Sequence, residues 1–365
     1  SKSDLYSVFI ERCTNMLKEY GYQSMITQHS WMFLTTYEKF RNKCIMNNRI
    51  INLTHLGARA FEDISGEVVQ TVAFVLNKYE QKEYISKYIR LTDYQSQKDK
   101  EVAFSNQNNQ FRLAMSAFEL IPGTPIVYWV SNRLLEIFSS SKKLDRHGYT
   151  KGGMGTSDND RFLRMWFEVS QEKVAYNINN HEEAILSNKK WFPYNKGGTY
   201  RKWYGNNDYL INWENDGREV KELATKLYKT YSRTVKNIDS FFLEGATWSS
   251  LATKFSMRYS PKGFIFDSKG SMLFTYKQEE LLPVIAFLNS KVSETLLSML
   301  SPTLDFSGGA LAKLSYYDEM FNKRIIDIVE ENIAISREEW DDFEYSWNFK
   351  THPFIRGLSK YNNLR

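Results

Sequence analysis

Two cysteines and five histidines are all that the 365 residues offer in the way of thiolate and imidazole ligands. Cys13 and Cys44 have no metal-ligand spacing, so no disulfide framework is indicated and a reducing cytoplasm is the simple expectation. His29, His55, His147, His181 and His352 form no i,i+4 pair, which argues against a zinc site. Neither G-x-G-x-x-G nor G-x-x-x-x-G-K-[ST] occurs, so no glycine-rich first turn for a nucleotide or dinucleotide is in view. No apolar run approaches the ~18 residues of a membrane span, and no signal peptide is recognised. No Ser/His/Asp arrangement can be argued from spacing. Charge of one sign does not dominate either: the formal balance of +5 allows an anionic partner without demanding one. The chain opens SKSD with no methionine, which suggests a processed chain or a piece of something longer.

What is present is aromatic and moderately charged. Apolar residues make up 42%, charged residues 25% and aromatics 15%, a globular composition unusually rich in rings. The length allows two or three domains. In the first part, Leu5, Val8, Phe9, Cys13, Met16 and Leu17 recur at helical spacing before Gly21, and Asp4 is placed to cap that helix. YQSMITQHSWMF reads as a buried strand, TTYEKFRNKCIMN as a helix, and RIINLTHLG and VVQTVAFVLNKY as strands. This order suits the far half of a doubly wound sheet ending in a hairpin. Residues 81–125 are polar and broken, with SNQNNQ and then Pro122, Gly123 and Pro125, and are expected to be a linker. A helix follows near 127–140.

From about 146 the runs RFLRMWFEV, DYLINWEND and GFIFDSKGSMLFT predict short strands between glycine turns, with REVKELATKLYKTYSR as a helix. ELLPVIAFLNSKVSETLLSML predicts one long amphipathic helix and FNKRIIDIVEENI another. The stretch ISREEWDDFEYSWNFKTHP, acidic and aromatic, is expected to dock on another domain rather than hold a ligand. Asp267-Ser-Lys269 has the D-x-K look of a nuclease site, yet no partner acid stands out and it reads as a turn between two strands.

Several long stretches carry a family resemblance. SKSDLYSVFIERC, MITQHSWMFLTTYEKFRN, GARAFEDISGEVVQTVAFVL, YTKGGMGTSDNDRF, KWFPYNKGGTYRKWYGN and WDDFEYSWNFKTHP together resemble the PglX-like adenine-specific DNA methyltransferases of BREX phage-defence systems. These are related to fused restriction–methylation enzymes with built-in target recognition. The resemblance implies an α/β plus α+β chain: a partial Rossmann-like methyltransferase sheet, then a target-recognition domain and C-terminal helices. Residues 1–80 would be the last part of the methyltransferase domain, 81–125 the linker, 126–310 the target-recognition domain and 311–365 a C-terminal helical segment. Such enzymes flip an adenine out of the duplex and methylate its N6 from S-adenosylmethionine. The catalytic N-P-P-Y signature and the cofactor motif would lie before Ser1. The full-length enzyme would therefore use S-adenosylmethionine, while this chain alone is expected neither to bind it nor to transfer a methyl group. The implied partners are double-stranded DNA and other defence-system proteins, with no membrane.

The resemblance also points to residues. In related methyltransferases an aromatic side chain before the final strand pair stacks on the flipped base, and Phe61 stands at the matching point; ordinary core or loop packing is the plainer alternative. KWFPYNKGGTYRKWYG packs six aromatics and four cations into sixteen residues. Lys190, Lys196, Arg201 and Lys202 can neutralise phosphates, and Gly197 and Gly198 let backbone N–H groups approach one closely. Trp191, Phe192, Trp203 and Tyr204 read better as core. In KGGMGTSDNDRF, Lys151, Asn159 and Arg161 are candidate DNA contacts, against the alternative of a glycine turn in which Asp158 or Asn159 supplies turn chemistry. Arg258 is a candidate base reader in a stretch resembling target-recognition domains, against a salt bridge across the sheet. Two functional classes follow. One is the recognising portion of an adenine-N6 DNA methyltransferase; the other is a non-catalytic DNA-specificity or docking module that works with separate partners. The half-sheet at the N-terminus favours the first.

Overall fold

The computed structural model describes residues 4–61, 69–301 and 305–361. The chain divides into two compact units, Ser1–Ser141 with Ser298–Pro302, and Lys142–Leu297 with Thr303–Arg365.

In the first unit α1 (Leu5–Met16) is followed by β1 (Tyr22–Gln28), α2 (Glu38–Asn47), β2 (Arg49–Gly57), β3 (Thr71–Asn77), β4 (Ile85–Arg90), α3 (Gln97–Phe104), β5 (Gln110–Ala114) and α4 (Asn132–Ser140). The five strands form one sheet in the order β1-β3-β2-β4-β5. β3 runs antiparallel to both β1 and β2, β4 is parallel to β2, and β5 is antiparallel to β4. β1, β2 and β4 therefore share one direction, and their carboxyl ends, at Gln28, Gly57 and Arg90, lie along one margin of the sheet. Trp31, Ile50, Leu53, Phe74, Tyr88 and Phe118 build the core against it. Arg41, fully buried, donates to the carbonyl oxygens of Trp31 (3.0 Å), Leu34 (2.6 Å), Gly123 (2.6 Å) and Thr124 (3.2 Å). One guanidinium thus ties two loops together, as its fork of five donors permits.

Four expectations for this unit change. Residues 81–125 are not a linker: they supply β4, α3 and β5, because ISKYIR buries alternate side chains within an otherwise polar stretch. The boundary between units falls after Ser141, not at 125. The first strand ends at Gln28, and HSWM turns as a 3-10 helix that buries Trp31 and Met32. Asp4 sits at the N-cap of α1 but its carboxylate caps nothing; it accepts from the Tyr37 hydroxyl at 3.3 Å. The start of the VVQTVAFVLNKY run, to Val68, lies outside the described residues.

The second unit begins with β6 (Lys142–Lys143), β7 (Gly148–Lys151), α5 (Asn159–Phe162), β8 (Leu163–Met165), α6 (His181–Leu186), β9 (Trp191–Asn195), β10 (Tyr209–Asn212) and α7 (Glu214–Tyr228). It continues with β11 (Gly245–Trp248), β12 (Met257–Ser260), β13 (Ile265–Phe266), β14 (Met272–Thr275), α8 (Leu281–Leu288), α9 (Lys291–Leu300, its last residues grouped with the first unit), α10 (Gly308–Ala312), β15 (Ser315–Tyr316), α11 (Lys323–Asp341) and α12 (Pro353–Tyr361). Two four-stranded sheets, β13-β9-β10-β8 and β12-β11-β14-β7, stand beside a small β15-β6 pair. Phe192, Tyr194, Trp213, Phe241, Phe266 and Phe274 are among the buried side chains of its core.

The helix expected through 281–300 is two helices. The break falls at Asn289, whose side-chain amide accepts from the Met257 N–H (3.0 Å) and donates to the Met257 carbonyl (2.9 Å), pairing with β12 as another strand would. RFLRMWFEV is strand only at Leu163–Met165, between α5 and a 3-10 turn. The acidic-aromatic tail docks on its own unit: α11 packs on α8, Trp340 is buried, and the Trp166 indole N–H donates to the Tyr345 carbonyl at 2.8 Å. Residues 311–365 are accordingly part of this unit and not a separate segment. No helix among the described residues is long and apolar enough to cross a membrane.

Candidate nucleic-acid interface

Three glycine-bearing segments far apart in sequence, KGGMG (151–155), NKGG (195–198) and DSKG (267–270), meet at the ends of β7, β9 and β13. Gly153 N–H donates to the Asp267 carbonyl (3.2 Å), Met154 N–H to the Phe266 carbonyl (2.9 Å) and Ser268 N–H to the Met154 carbonyl (3.1 Å). Asp267 N–H donates to the Asn195 carbonyl (2.8 Å), which brings in the second segment. The approach of the first and third is so close that a Cβ on Gly153 would lie 1.8 Å from the Phe266 carbonyl oxygen. Gly197 and Gly198 turn the chain at φ +94° and +139°, a conformation that L side chains rarely adopt.

Asp267 is the hub of this junction. Its carboxylate accepts from the Tyr194 hydroxyl (2.9 Å), the Lys269 N–H (2.8 Å) and the Ser268 hydroxyl (3.1 Å). Burial and the Asp267 charge push the Tyr194 phenol well up from its usual range. A carboxylate so fully engaged is a turn-former, in keeping with the expected turn between β13 and β14. No group of three or more His, Cys, Asp or Glu side chains placed to hold a metal ion occurs among the described residues.

The junction carries lysines. Lys151 closes β7 with its ammonium 5.7 Å from the Tyr149 ring centroid, Lys196 lies 5.6 Å from the Tyr209 ring, and Lys269 is exposed. Among the described residues none of the three has a carboxylate partner. Lys269 escaped the sequence reading because D-x-K drew attention to catalysis, whereas its position beside two other glycine loops is a tertiary fact.

The remaining predicted residues are dispersed. Asn159 opens α5, where its side-chain oxygen accepts from the Thr156 hydroxyl (2.6 Å) and Asp158 caps the turn by accepting from the Arg161 N–H (3.1 Å). That is the turn chemistry weighed as the alternative. Arg161 pairs with Glu219 (3.2 Å), and this contact draws the Glu219 carboxyl below its usual range. Lys190 is half-buried, 6.0 Å from the Trp191 ring. Arg201 stacks 5.0 Å from the Trp340 ring and pairs with Glu339. Lys202 donates to the Asn289 carbonyl at 2.6 Å, and burial lowers its pKa. These last two are structural: their charges are engaged with the tail and the helix break. Arg258 is corrected as well. It is 2% exposed and, among the described residues, has no salt bridge and leaves Nε and Nη1 without hydrogen-bond partners, so it reaches no base edge from this position. Burial, with Arg201 nearby, lowers its pKa to about 10. Of the rings, Trp191, Phe192 and Tyr204 are buried and Trp203 is half-buried. Phe61, in the first unit, is 46% exposed and lies beyond the end of β2.

Comparison with known proteins bears on both units. Residues 1–61 match the family model described as Eco57I restriction-modification methylase. The chain is 42% identical over 370 residues to the adenine-specific methyltransferase PglX of Lacticaseibacillus casei (strain Zhang), covering 99% of this chain and 30% of that protein. It is 38% identical over 361 residues to the adenine-specific methyltransferase BrxX of Escherichia coli O9:H4 (strain HS), covering 97% and 28%. The chain thus spans about three-tenths of the length of these relatives, and over that span it is PglX-like in sequence. Among solved structures, the Type IIL restriction-modification enzyme MmeI in complex with DNA superposes with a TM-score of 0.54 at 11% identity, over 98% of this chain and 48% of that one. The DrdV–DNA complex gives 0.51 at 12% identity, over 91% and 39%. These likenesses concern the fold.

Proposed function

We propose that this PglX-like chain is the DNA-recognising portion of a site-specific adenine-N6 DNA methyltransferase acting in phage defence. The observation that carries the reading is the junction of three glycine-bearing segments, which gathers Lys151, Lys196 and Lys269, none of them in an ion pair among the described residues, while the Asp267 carboxylate at its hub is engaged by Tyr194, Ser268 and the Lys269 N–H. Loops of this kind suit a phosphate backbone: cations supply the charge, and glycines let backbone N–H groups come close. The similarity to adenine-specific methyltransferases over nearly the whole chain supports the same reading, and so does the DNA present in the MmeI and DrdV structures. Gly198 is exposed beside Lys196 and suits the centre of the contact, whereas Gly197 is buried; Lys190, Arg161 and Asn159 are read as peripheral, the last two already engaged with Glu219 and Thr156.

In the first unit β1 is an edge strand among the described residues, with Tyr22 and Ile26 exposed, and Leu5, Phe9 and Met16 of α1 are exposed too. An uncovered edge and an uncovered apolar helix face suit a sheet that continues in further chain, as a partial methyltransferase domain would. Phe61, exposed beyond β2, keeps its place as the candidate stacking ring. S-adenosylmethionine carries an ammonium and a sulfonium, which call for acceptors. The carboxyl ends of β1, β2 and β4 offer His29, His55 and Arg90, and the nearby Asp93 pairs with Arg90 at 3.7 Å. These residues do not fit that cofactor.

Affinity for duplex DNA measured against salt tests the recognition role: a log–log slope near −0.9 per phosphate is expected, and a flat response would sink it. Methyl incorporation into DNA by the 365-residue chain alone would overturn the reading of it as a portion.

A further inference from the structure

A chain of three side chains crosses the margin of the first unit where β1, β2 and β4 end. His29 Nδ1 lies 2.8 Å from His55 Nε2, and His55 Nδ1 lies 3.2 Å from the Tyr128 hydroxyl. His55 is in β2, paired with Arg90 of β4 and Val72 of β3; His29 follows β1, and its backbone N–H donates to the Gln70 carbonyl at 3.0 Å. Tyr128 is buried, with its ring stacked flat on Tyr88 at 4.8 Å. His29 is half-exposed, with Phe33 edge-on at 4.8 Å.

Both imidazoles are neutral at pH 7. Burial takes His29 to about 4, and burial, with His29, Arg90 and Lys100 adding to it, takes His55 to about 3. A neutral imidazole has one N–H, so the chain runs one of two ways. If His55 donated to the Tyr128 oxygen, the buried phenol proton would have no acceptor, since His55 is its hydrogen-bond partner among the described residues. A buried donor left unmade is the costlier arrangement. Tyr128 therefore donates to His55 Nδ1, His55 Nε2–H donates to His29 Nδ1, and the His29 proton sits on Nε2. That nitrogen has no hydrogen-bond partner among the described residues.

The location gives the donor a use. Ligands of open α/β sheets bind outside the carboxyl ends of parallel strands. At this margin Gln28 and Gly57 both register on Thr71 of β3, which lies between them, so the segment that leaves β2 toward Phe61 departs level with His29 along the sheet margin. We propose that His29 presents its Nε2–H to a ring nitrogen of an extrahelical purine, with His55 and Tyr128 as positioning residues that fix its tautomer. This rests on the proposed function and deepens it: the reverse tautomer would offer an acceptor and suit the exocyclic amine instead.

Nitrogen-15 imidazole spectra of the 365-residue chain without DNA read the tautomer directly. Protonation of His29 on Nε2 is expected, with a mixture of tautomers in Tyr128→Phe; a wild-type His29 protonated on Nδ1 overturns the inference. In the full-length enzyme, His29→Phe should lower kcat/KM for DNA adenine methylation roughly tenfold, the worth of one hydrogen bond, and His29→Gln, which keeps a donor, should restore most of it. A His29→Phe enzyme as fast as wild type overturns the inference alone. A wild-type enzyme that leaves DNA adenine unmodified overturns the proposed function and the inference together.

Discussion

Gly153 faces the Phe266 carbonyl so closely that a β-carbon would lie 1.8 Å from the oxygen. The backbones of two segments more than a hundred residues apart touch there with no side chain between them. Gly153→Ala forces them apart and is expected to destabilise the second unit by at least about 3 kcal/mol, the upper range of overpacking. Gly155→Ala, with nothing within 4 Å of its added carbon, should change stability by less than about 0.5 kcal/mol. Urea unfolding of the two variants compares them, and equal losses would contradict the close approach.

The lysines on that junction predict a counting result. Glutamine at Lys151, Lys196 or Lys269 should each reduce the salt slope of DNA binding by about 1. Lys202→Gln should leave the slope unchanged, because its ammonium is held by the Asn289 carbonyl. Binding titrations over a range of sodium chloride separate the two groups. A slope that follows Lys202 and ignores the other three would move the contact surface elsewhere.

Two buried arginines predict opposite outcomes. Arg41 satisfies four carbonyl oxygens, so Arg41→Met strands them and should cost at least about 3 kcal/mol. Arg258 has two unpaired nitrogens, so Arg258→Met relieves a buried, poorly compensated charge and should be neutral or stabilising. Thermal unfolding of both variants settles the comparison; a large loss at Arg258 would reveal an internal role that its present contacts do not explain.

The histidines predict how stability follows pH. His29 and His55 have folded pKa values near 4 and 3, below the ordinary 6.5, so the unfolded chain takes up protons first. Their contribution is intact above about pH 6.5 and is lost as pH falls toward 4, on the order of 3 kcal/mol for His29. His181 behaves in the opposite way. Its hydrogen bond to Asp216 (2.8 Å) raises its pKa, so its contribution is full below about pH 6.5 and fades as pH rises through the raised value. Denaturation midpoints measured from pH 4 to 8 should bend on the acid side less in His29→Gln, and on the alkaline side less in His181→Gln.

Periodicity alone located β2, α2, the core of α7 and α11, because each of these stretches repeats its apolar residues at the spacing its own backbone imposes. Composition and the missing phosphate loops limited the chemistry, and the quoted stretches suggested the family. What the residues could not announce was partnership. ISKYIR reads as linker in the sequence because its strand is short and its pairing partners are residues 52–55 and 110–114. The break at Asn289 depends on Met257, which lies 32 residues earlier. Lys269 gains its place beside Lys151 and Lys196, and His29 its tautomer through Tyr128, only once distant segments close on one another. Local spacing is written along the chain and can be read there; the neighbour that satisfies a carbonyl, buries a charge or fixes a proton is chosen by the packing of the whole unit.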